Sequence, residues 1–324
     1  MAAKSRLRTA LEDGLLTLPP GPVHVIGPEP ETDLSPLDAH DLTLEQGFYP
    51  HARAFEDAGH DLVDAPGDAA TILVIMPRDK ALGRDRVARA AASGALVVVD
   101  GSKTNGVDSV FKAARQRLGD LPSLTKDHGR IFWMTPGDAL TDWCAPAPAP
   151  AGHGFVTGVG MFSADRIDAG SAALAEALPP KLPAHMADLG AGWGYLARAI
   201  LTRDGVKALA LIEAERAALD CARINIPDPR ASFHWADATD FAPATPFDGI
   251  VMNPPFHVAR AADPRLGQAF ITGAARMLAP HGKLWMVANR HLPYEAPLRA
   301  AFRNVAEIGA SGGFKLFHAS RPIR

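Results

Sequence analysis

The chain has 324 residues, 47% of them hydrophobic and 21% charged, with a formal net charge of −3. This composition is that of a soluble globular protein long enough for two domains; it excludes a membrane-spanning helix, since no run of about 18 apolar residues occurs. It also excludes a disulfide framework, because Cys144 and Cys221 are too few and show no C-x-x-C spacing.

The basic start of the chain meets Glu12 and Asp13 before any apolar core, so no export leader is expected and a reducing cytoplasm is the expected location. Residues 1–75 carry 4 Lys/Arg against 13 Asp/Glu, whereas residues 151–324 carry 18 against 15. A non-specific nucleic-acid binder would be more basic overall, so any RNA partner must be gripped by a structured local site. The 12 histidines form no ligand cluster, and no metal is expected.

In the first half, residues 23–26, 71–76, 95–99 and 131–134 read as strands, and residues 84–93 and 109–118 as helices. The first strand runs into Gly27-Pro28-Glu29-Pro30, where a cofactor loop would need free backbone N–H groups that proline lacks. A basic stretch (Arg78, Lys80, Arg84, Arg86, Arg89 and Lys103) is a candidate phosphate-contacting surface. Ala145-Pro146-Ala147-Pro148-Ala149-Pro150-Ala151-Gly152 has the alternating proline of a semi-rigid linker. The expected organisation is a domain at 1–144 without a cofactor site, a linker at 145–152 and a catalytic domain at 153–324.

The second half alternates more clearly. Strands are expected at 186–189, 208–212, 233–235, 249–252, 283–288 and 314–319, with helices at 193–201, 214–225 and 266–278. Repeated strand–helix units with short connections imply an open parallel sheet wrapped by helices, an α/β fold.

Asp188-Leu189-Gly190-Ala191-Gly192-Trp193-Gly194 lies where the first of these strands passes into a helix. Gly190, Gly192 and Gly194 let the backbone approach a ligand and take positive φ. The spacing is one residue shorter than the dinucleotide fingerprint, and an acid precedes the first glycine by two. An acid suits S-adenosyl-L-methionine (SAM), which carries a sulfonium and an amino acid instead of a pyrophosphate. Glu213 ends the second strand, where a carboxylate accepts ribose hydroxyls, and Asp237 follows the third, placed for the adenine amino group.

Asn253-Pro254-Pro255-Phe256 ends the fourth strand, where open α/β sheets keep their sites. An exocyclic amine on a base or amide has a delocalised lone pair and is a poor nucleophile. The Asn253 side-chain oxygen and the Pro254 carbonyl can accept its two N–H bonds and favour a developing positive nitrogen. The prolines fix the turn and Phe256 can stack on the ring. The two motifs together read as a SAM-dependent amine methyltransferase.

At these residues the chain resembles the small-subunit ribosomal RNA guanine-N2 methyltransferases (RsmC type, with a "methyltransferase small" domain) and their large-subunit relatives. Gly160-Met161-Phe162-Ser163, Asp168-Ala169-Gly170-Ser171, the clamp extended by His257, Val287-Ala288-Asn289 with Leu292-Pro293-Tyr294, and Gly313-Phe314-Lys315-Leu316 are similar to family segments. The resemblance covers most of residues 70–320. It implies two tandem Rossmann-like domains, the first degenerate and the second a seven-stranded SAM-binding sheet. It also implies methyl transfer to the N2 amine of a guanosine in 16S ribosomal RNA by a monomer acting on RNA or the small subunit. Phe162, His257, Arg290 and Lys315 are the candidate substrate contacts. The family's usual Asp is replaced by Glu213, and Trp193 stands where a smaller residue is common and would narrow the pocket. Alternatives are a large-subunit target, a protein glutamine amide, and a non-enzymatic RNA-binding assembly module.

Overall fold

The computed structural model describes residues 5–255, 257–258, 261–262 and 264–324, those at 257–262 as backbone only. The chain divides into two compact units, Met1–Ala147 and Pro148–Arg324.

In the first unit, seven strands form one sheet: β1 (Val23–Ile26), β2 (Leu42–Glu45), β3 (Asp61–Leu62), β4 (Thr71–Ile75), β5 (Leu96–Ser102), β6 (Ser123–Lys126) and β7 (Gly129–Met134). Their order is β3-β2-β1-β4-β5-β7-β6. Four helices, α1 (Arg6–Glu12), α2 (Tyr49–Asp57), α3 (Lys80–Ala92) and α4 (Val107–Leu118), cover it. Alternate residues along the strands face opposite layers: Ile72, Val74, Val97 and Val99 pack in one apolar cluster, and Val23, Val25, Leu73 and Val98 in another. β6 and β7 form a hairpin through Asp127 (φ 49°) and His128 (φ 53°), two positive φ values as a primed turn requires.

In the second unit, Pro150 and its neighbour Ala149 form β8, paired with β9 (Val156–Thr157). The main sheet contains β10 (His185–Leu189), β11 (Ala208–Glu213), β12 (Ala231–Trp235), β13 (Phe247–Met252), β16 (Leu278–Asn289), β17 (Phe302–Ser311) and β18 (Phe314–Pro322). A short antiparallel pair, β14 (His257–Val258) and β15 (Ala261–Ala262), stands apart. The order β12-β11-β10-β13-β16-β18-β17 repeats that of the first unit, strand for strand. The helices are α5 (Ala169–Ala177), α6 (Tyr195–Leu201), α7 (Arg216–Asn225), α8 (Pro264–Met277) and α9 (Glu295–Ala301). Met186, Leu211, Val251 and Val287 face α5, α6 and α7, while Leu189, Ile212, Met252 and Met286 face α8 and α9. With both faces covered, β10, β11 and β13 read as nearly continuous apolar runs.

The open parallel sheet expected from sequence holds for five adjacent strands in each unit, but both sheets are mixed, with β7 and β18 antiparallel to their neighbours. The reason is local. Ser311 pairs with Phe314 across Gly312-Gly313, a two-residue turn that can only reverse the chain, because a parallel partner needs a crossover. The expected linker is likewise partly ordered: the Ala145 N–H donates to the buried Asp85 carboxylate at 2.9 Å, and Ala149–Pro150 is paired. Among the described residues no helix is long and apolar enough to cross a membrane.

Candidate active site

Four parallel strands lie side by side in the order β12, β11, β10, β13, and their carboxyl ends bring the glycine loop, Glu213, Asp237 and Asn253 to one edge. The strand order reverses at β10 and β13, where an open sheet leaves a crevice for ligands.

The loop's glycines have the geometry their sequence implied, with φ of 69° at Gly190, 54° at Gly192 and 95° at Gly194. A Cβ on Gly194 would lie 3.0 Å from Ile226, so a side chain here would crowd its neighbour as well as strain the backbone. Glu213 braces the loop: Oε2 accepts the Gly192 N–H at 2.7 Å and Oε1 accepts the Glu215 N–H at 2.7 Å. Burial raises the Glu213 carboxyl above its ordinary range, against these two amides and that of Ala214.

Asp188 is wholly buried on the α6 side of the sheet, and neither carboxylate oxygen makes a hydrogen bond of ordinary geometry. Its pKa is pushed up to about 8, by burial first and by the neighbouring Glu213 charge second, with the Ala197 backbone opposing the rise. An unpartnered buried carboxylate is costly and persists where a ligand satisfies it. A cation is the complementary ligand.

Asp237 Oδ1 accepts both the Thr239 N–H and the Thr239 hydroxyl, each at 2.7 Å, which folds the loop after β12. Asn253 donates its side-chain amide N–H bonds to Asp168 Oδ2 at 3.0 Å and to Ser171 Oγ at 2.8 Å. Pro254 is buried and Pro255 exposed. Phe256 lies outside the described residues, and His257 is placed only by the backbone of β14.

Two residues that sequence reasoning missed hold the segment before α5 against the loop. Asn225, buried on α7, donates to the Val156 and Trp193 carbonyls at 2.8 Å each and accepts the Val156 N–H at 2.7 Å. His153 stacks on Trp193, with ring centres 5.1 Å apart and planes 7° from parallel. Trp193 directs its bulk into a cluster with Phe155 and Cys221, and its Nε1 donates to the Phe162 carbonyl at 3.0 Å. The signal available was only the density of aromatic residues at 153–162 and 193–195.

The candidate substrate contacts diverge. Phe162 is 65% exposed. Arg290 is exposed, its backbone N–H donating to the Gly313 carbonyl. Lys315 is engaged within the fold, ion-paired with Glu295 of α9. Of the basic residues in the first unit, Arg89 pairs with Asp85 and the Arg86 guanidinium packs against Gly27 at the end of β1.

Residues 152–318 match the model of the family described as methyltransferase small domain. The chain is 31% identical over 276 residues to the ribosomal RNA large subunit methyltransferase G of Streptomyces avermitilis, covering 79% of this chain and 72% of that protein. It is 27% identical over 307 residues to the ribosomal RNA small subunit methyltransferase C of Shewanella baltica, covering 90% and 83%. Its fold is similar to that of the T. thermophilus 16S rRNA N2 methyltransferase (RsmC) in complex with AdoMet and guanosine, with a TM-score of 0.77, 23% identity, and coverage of 95% of this chain and 90% of that one.

Proposed function

The chain belongs to the methyltransferase small domain family, and from that membership we propose that it transfers a methyl group from SAM to the N2 amine of a guanosine in 16S ribosomal RNA. The observation that carries this reading is the convergence of the glycine loop, Glu213, Asp237 and Asn253-Pro254 at one sheet edge. SAM supplies an electrophilic methyl on a sulfonium. The residues present fit it: the unpartnered Asp188 carboxylate suits its ammonium group, and Glu213 and Asp237 keep lone pairs for the ribose hydroxyls and the adenine amine. Asn253 Oδ1 and the Pro254 carbonyl accept the two N–H bonds of the guanine amine. They hold its nitrogen in line with the methyl and favour the positive charge that grows there. The proton is lost after methylation, when the nitrogen has become acidic, so no strong base is required beforehand.

Labelled methyl transfer to ribosomal RNA from a strain lacking the gene, followed by nucleoside analysis, tests the reading. N2-methylguanosine in 16S RNA is the expected product. The 31% identity to a large-subunit enzyme favours 23S RNA as the second reading, and label confined to that molecule would move the target there. Label in a protein glutamine, or none in either RNA, would overturn the proposal.

The ionisation of Asp188 gives a second test. Below about pH 8 its carboxyl is protonated in the free protein, so binding an ammonium group must expel that proton. SAM affinity is expected to rise with pH toward 8, by up to about tenfold per unit. Calorimetry in buffers of different ionisation enthalpy should reveal release of up to one proton near pH 7. Binding without proton release would remove Asp188 from the ammonium site.

The first unit repeats the strand order, yet its first loop contains Pro28 and Pro30, and a guanidinium lies against Gly27. In the second unit the ring of Phe270 occupies the place beside Gly190. The guanidinium fills the space beside the first loop, and the prolines lack the N–H groups that a cofactor loop needs. The full chain is therefore expected to bind one SAM, and a calorimetric stoichiometry of two would show the first unit to be competent. This unit's proposed role is to orient the RNA.

A further inference from the structure

The geometry points to Asp168 and Ser171 as positioning residues that lock the Asn253 amide with its oxygen turned toward the substrate amine. This inference rests on the amine-methyltransferase reading above and adds the device that makes Asn253 an acceptor.

An asparagine side chain is symmetric in shape and opposite in polarity at its two ends. Turned over, Asn253 would present N–H bonds to an amine that offers only N–H bonds, and the clamp would repel its substrate. The structure settles the orientation chemically. An ionised carboxylate only accepts hydrogen bonds, so the group facing Asp168 must be the amide nitrogen. Both of its N–H bonds are used, one on Asp168 Oδ2 at 3.0 Å and one on Ser171 Oγ at 2.8 Å. Oδ1 is thereby left to face the other way. A carboxylate accepting from the amide nitrogen also draws negative charge onto Oδ1, because hydrogen bonds in a chain polarise one another.

The surrounding residues hold Asp168 in turn. It is the N-cap of α5, and the same Oδ2 accepts the Ser171 N–H at 2.8 Å. Ser171 itself is buried. Gly170 leaves the space this arrangement needs: a Cβ there would lie 3.1 Å from Asp168 Oδ2 and 3.0 Å from the Phe314 ring. Asp168, Gly170 and Ser171 thus act as one unit, with Phe314 of β18 closing its side. They lie 82 and more residues before Asn253 in the chain.

Asp168→Ser separates the two duties of this residue. A serine caps a helix about as well as an aspartate, but its shorter hydroxyl does not reach Asn253. The variant is expected to keep its SAM affinity and to lose only the melting temperature that goes with the broken Asn253 contact, while kcat on ribosomal RNA falls about 100-fold. Asp168→Asn keeps an acceptor oxygen at the same reach and is expected to recover most of the rate. Combining Asp168→Ser with Asn253→Ala should cost no more than Asn253→Ala alone, since the first acts through the second. Multiplicative losses, or a fall in SAM affinity matching that in kcat, would overturn the inference.

A further measurement needs no RNA. The Asn253 side-chain amide signals in a nitrogen-15 spectrum, identified by their absence in Asn253→Ala, should be protected from exchange in the wild type and exposed in Asp168→Ser. Equal exchange in both proteins overturns the inference. A wild-type protein that methylates no RNA but shows this protection overturns the functional reading and leaves the locked amide standing.

Discussion

Asn253→Ala is expected to lower kcat by about 100- to 1,000-fold while SAM affinity stays nearly unchanged. The side chain lies at the end of β13 with its amide nitrogen bound to Asp168 and Ser171, and no described contact ties it to the glycine loop. In the proposed reaction its oxygen accepts from a nitrogen whose charge changes, so its contribution would grow on the way to the transition state. Removing such an interaction lowers kcat and kcat/KM together and spares ground-state binding. The loss also releases two acceptors, the half-buried Asp168 and the buried Ser171, which at about 1–3 kcal/mol for an unsatisfied buried group predicts a lower melting temperature. Single-turnover methyl transfer beside calorimetric titration with SAM separates the two quantities. Equal losses in both would make Asn253 a cofactor ligand.

How legible this site was follows from where its information lies along the chain. The glycine loop, Glu213, Asp237 and Asn253 each end a strand of five or six residues. Strand ends are local features, visible as an apolar run that stops at a polar or glycine residue. Parallel topology then sends all four ends to one edge without further information. The residues that brace the site were not legible in the same way. Asn225 meets Val156 across 69 residues, and Asp168 meets Asn253 across 85. Nothing local marks such a pairing. The helix α5 does carry a local signal: Asp168 before Ala169-Gly170-Ser171-Ala172-Ala173-Leu174 is an N-cap ahead of an alanine-rich run.

The fold shows the same division. β10, β11 and β13 are buried on both faces, so their continuous apolar runs stood out. β17 (Phe302–Ser311) is an edge strand with mostly exposed residues, so it lacks the continuous apolar run of the buried strands. β16 begins at Leu278, earlier than the expected 283, and passes through Pro280 and Gly282. Proline and glycine break regular structure, and here they mark an irregularity: the pairing with β13 slips between Phe247 and Gly249. Proline has no ladder donor to give, so it sits where register is already broken.

Substituting the buried Asp188 or the half-buried Glu213 of the proposed cofactor edge should weaken SAM binding while affecting the free protein in opposite ways. Glu213 accepts the Gly192 and Glu215 amides, so Glu213→Ala removes the brace of the loop along with the proposed ribose acceptor. Charge-assisted hydrogen bonds are worth about 1.5–3 kcal/mol each, and a loss of SAM affinity of about 10- to 100-fold is expected, with a lower melting temperature. Asp188 has no hydrogen bond of ordinary geometry to lose. Its folded-state pKa of about 8 lies far above that of an exposed aspartate, about 3.9. The native state therefore keeps a proton that the unfolded chain has released. The stability this provides is complete below about pH 4 and is lost as pH rises through about 8. Asp188→Asn is expected to flatten that decline, leaving the free protein more stable than the wild type at pH 9 while SAM affinity falls by an order of magnitude or more. Stability that is gained where ligand binding is lost marks a group kept for its ligand. Melting curves from pH 5 to 9, with and without SAM, test this directly. A variant that loses stability at pH 9, or that binds SAM as the wild type does, would return Asp188 to a purely structural role.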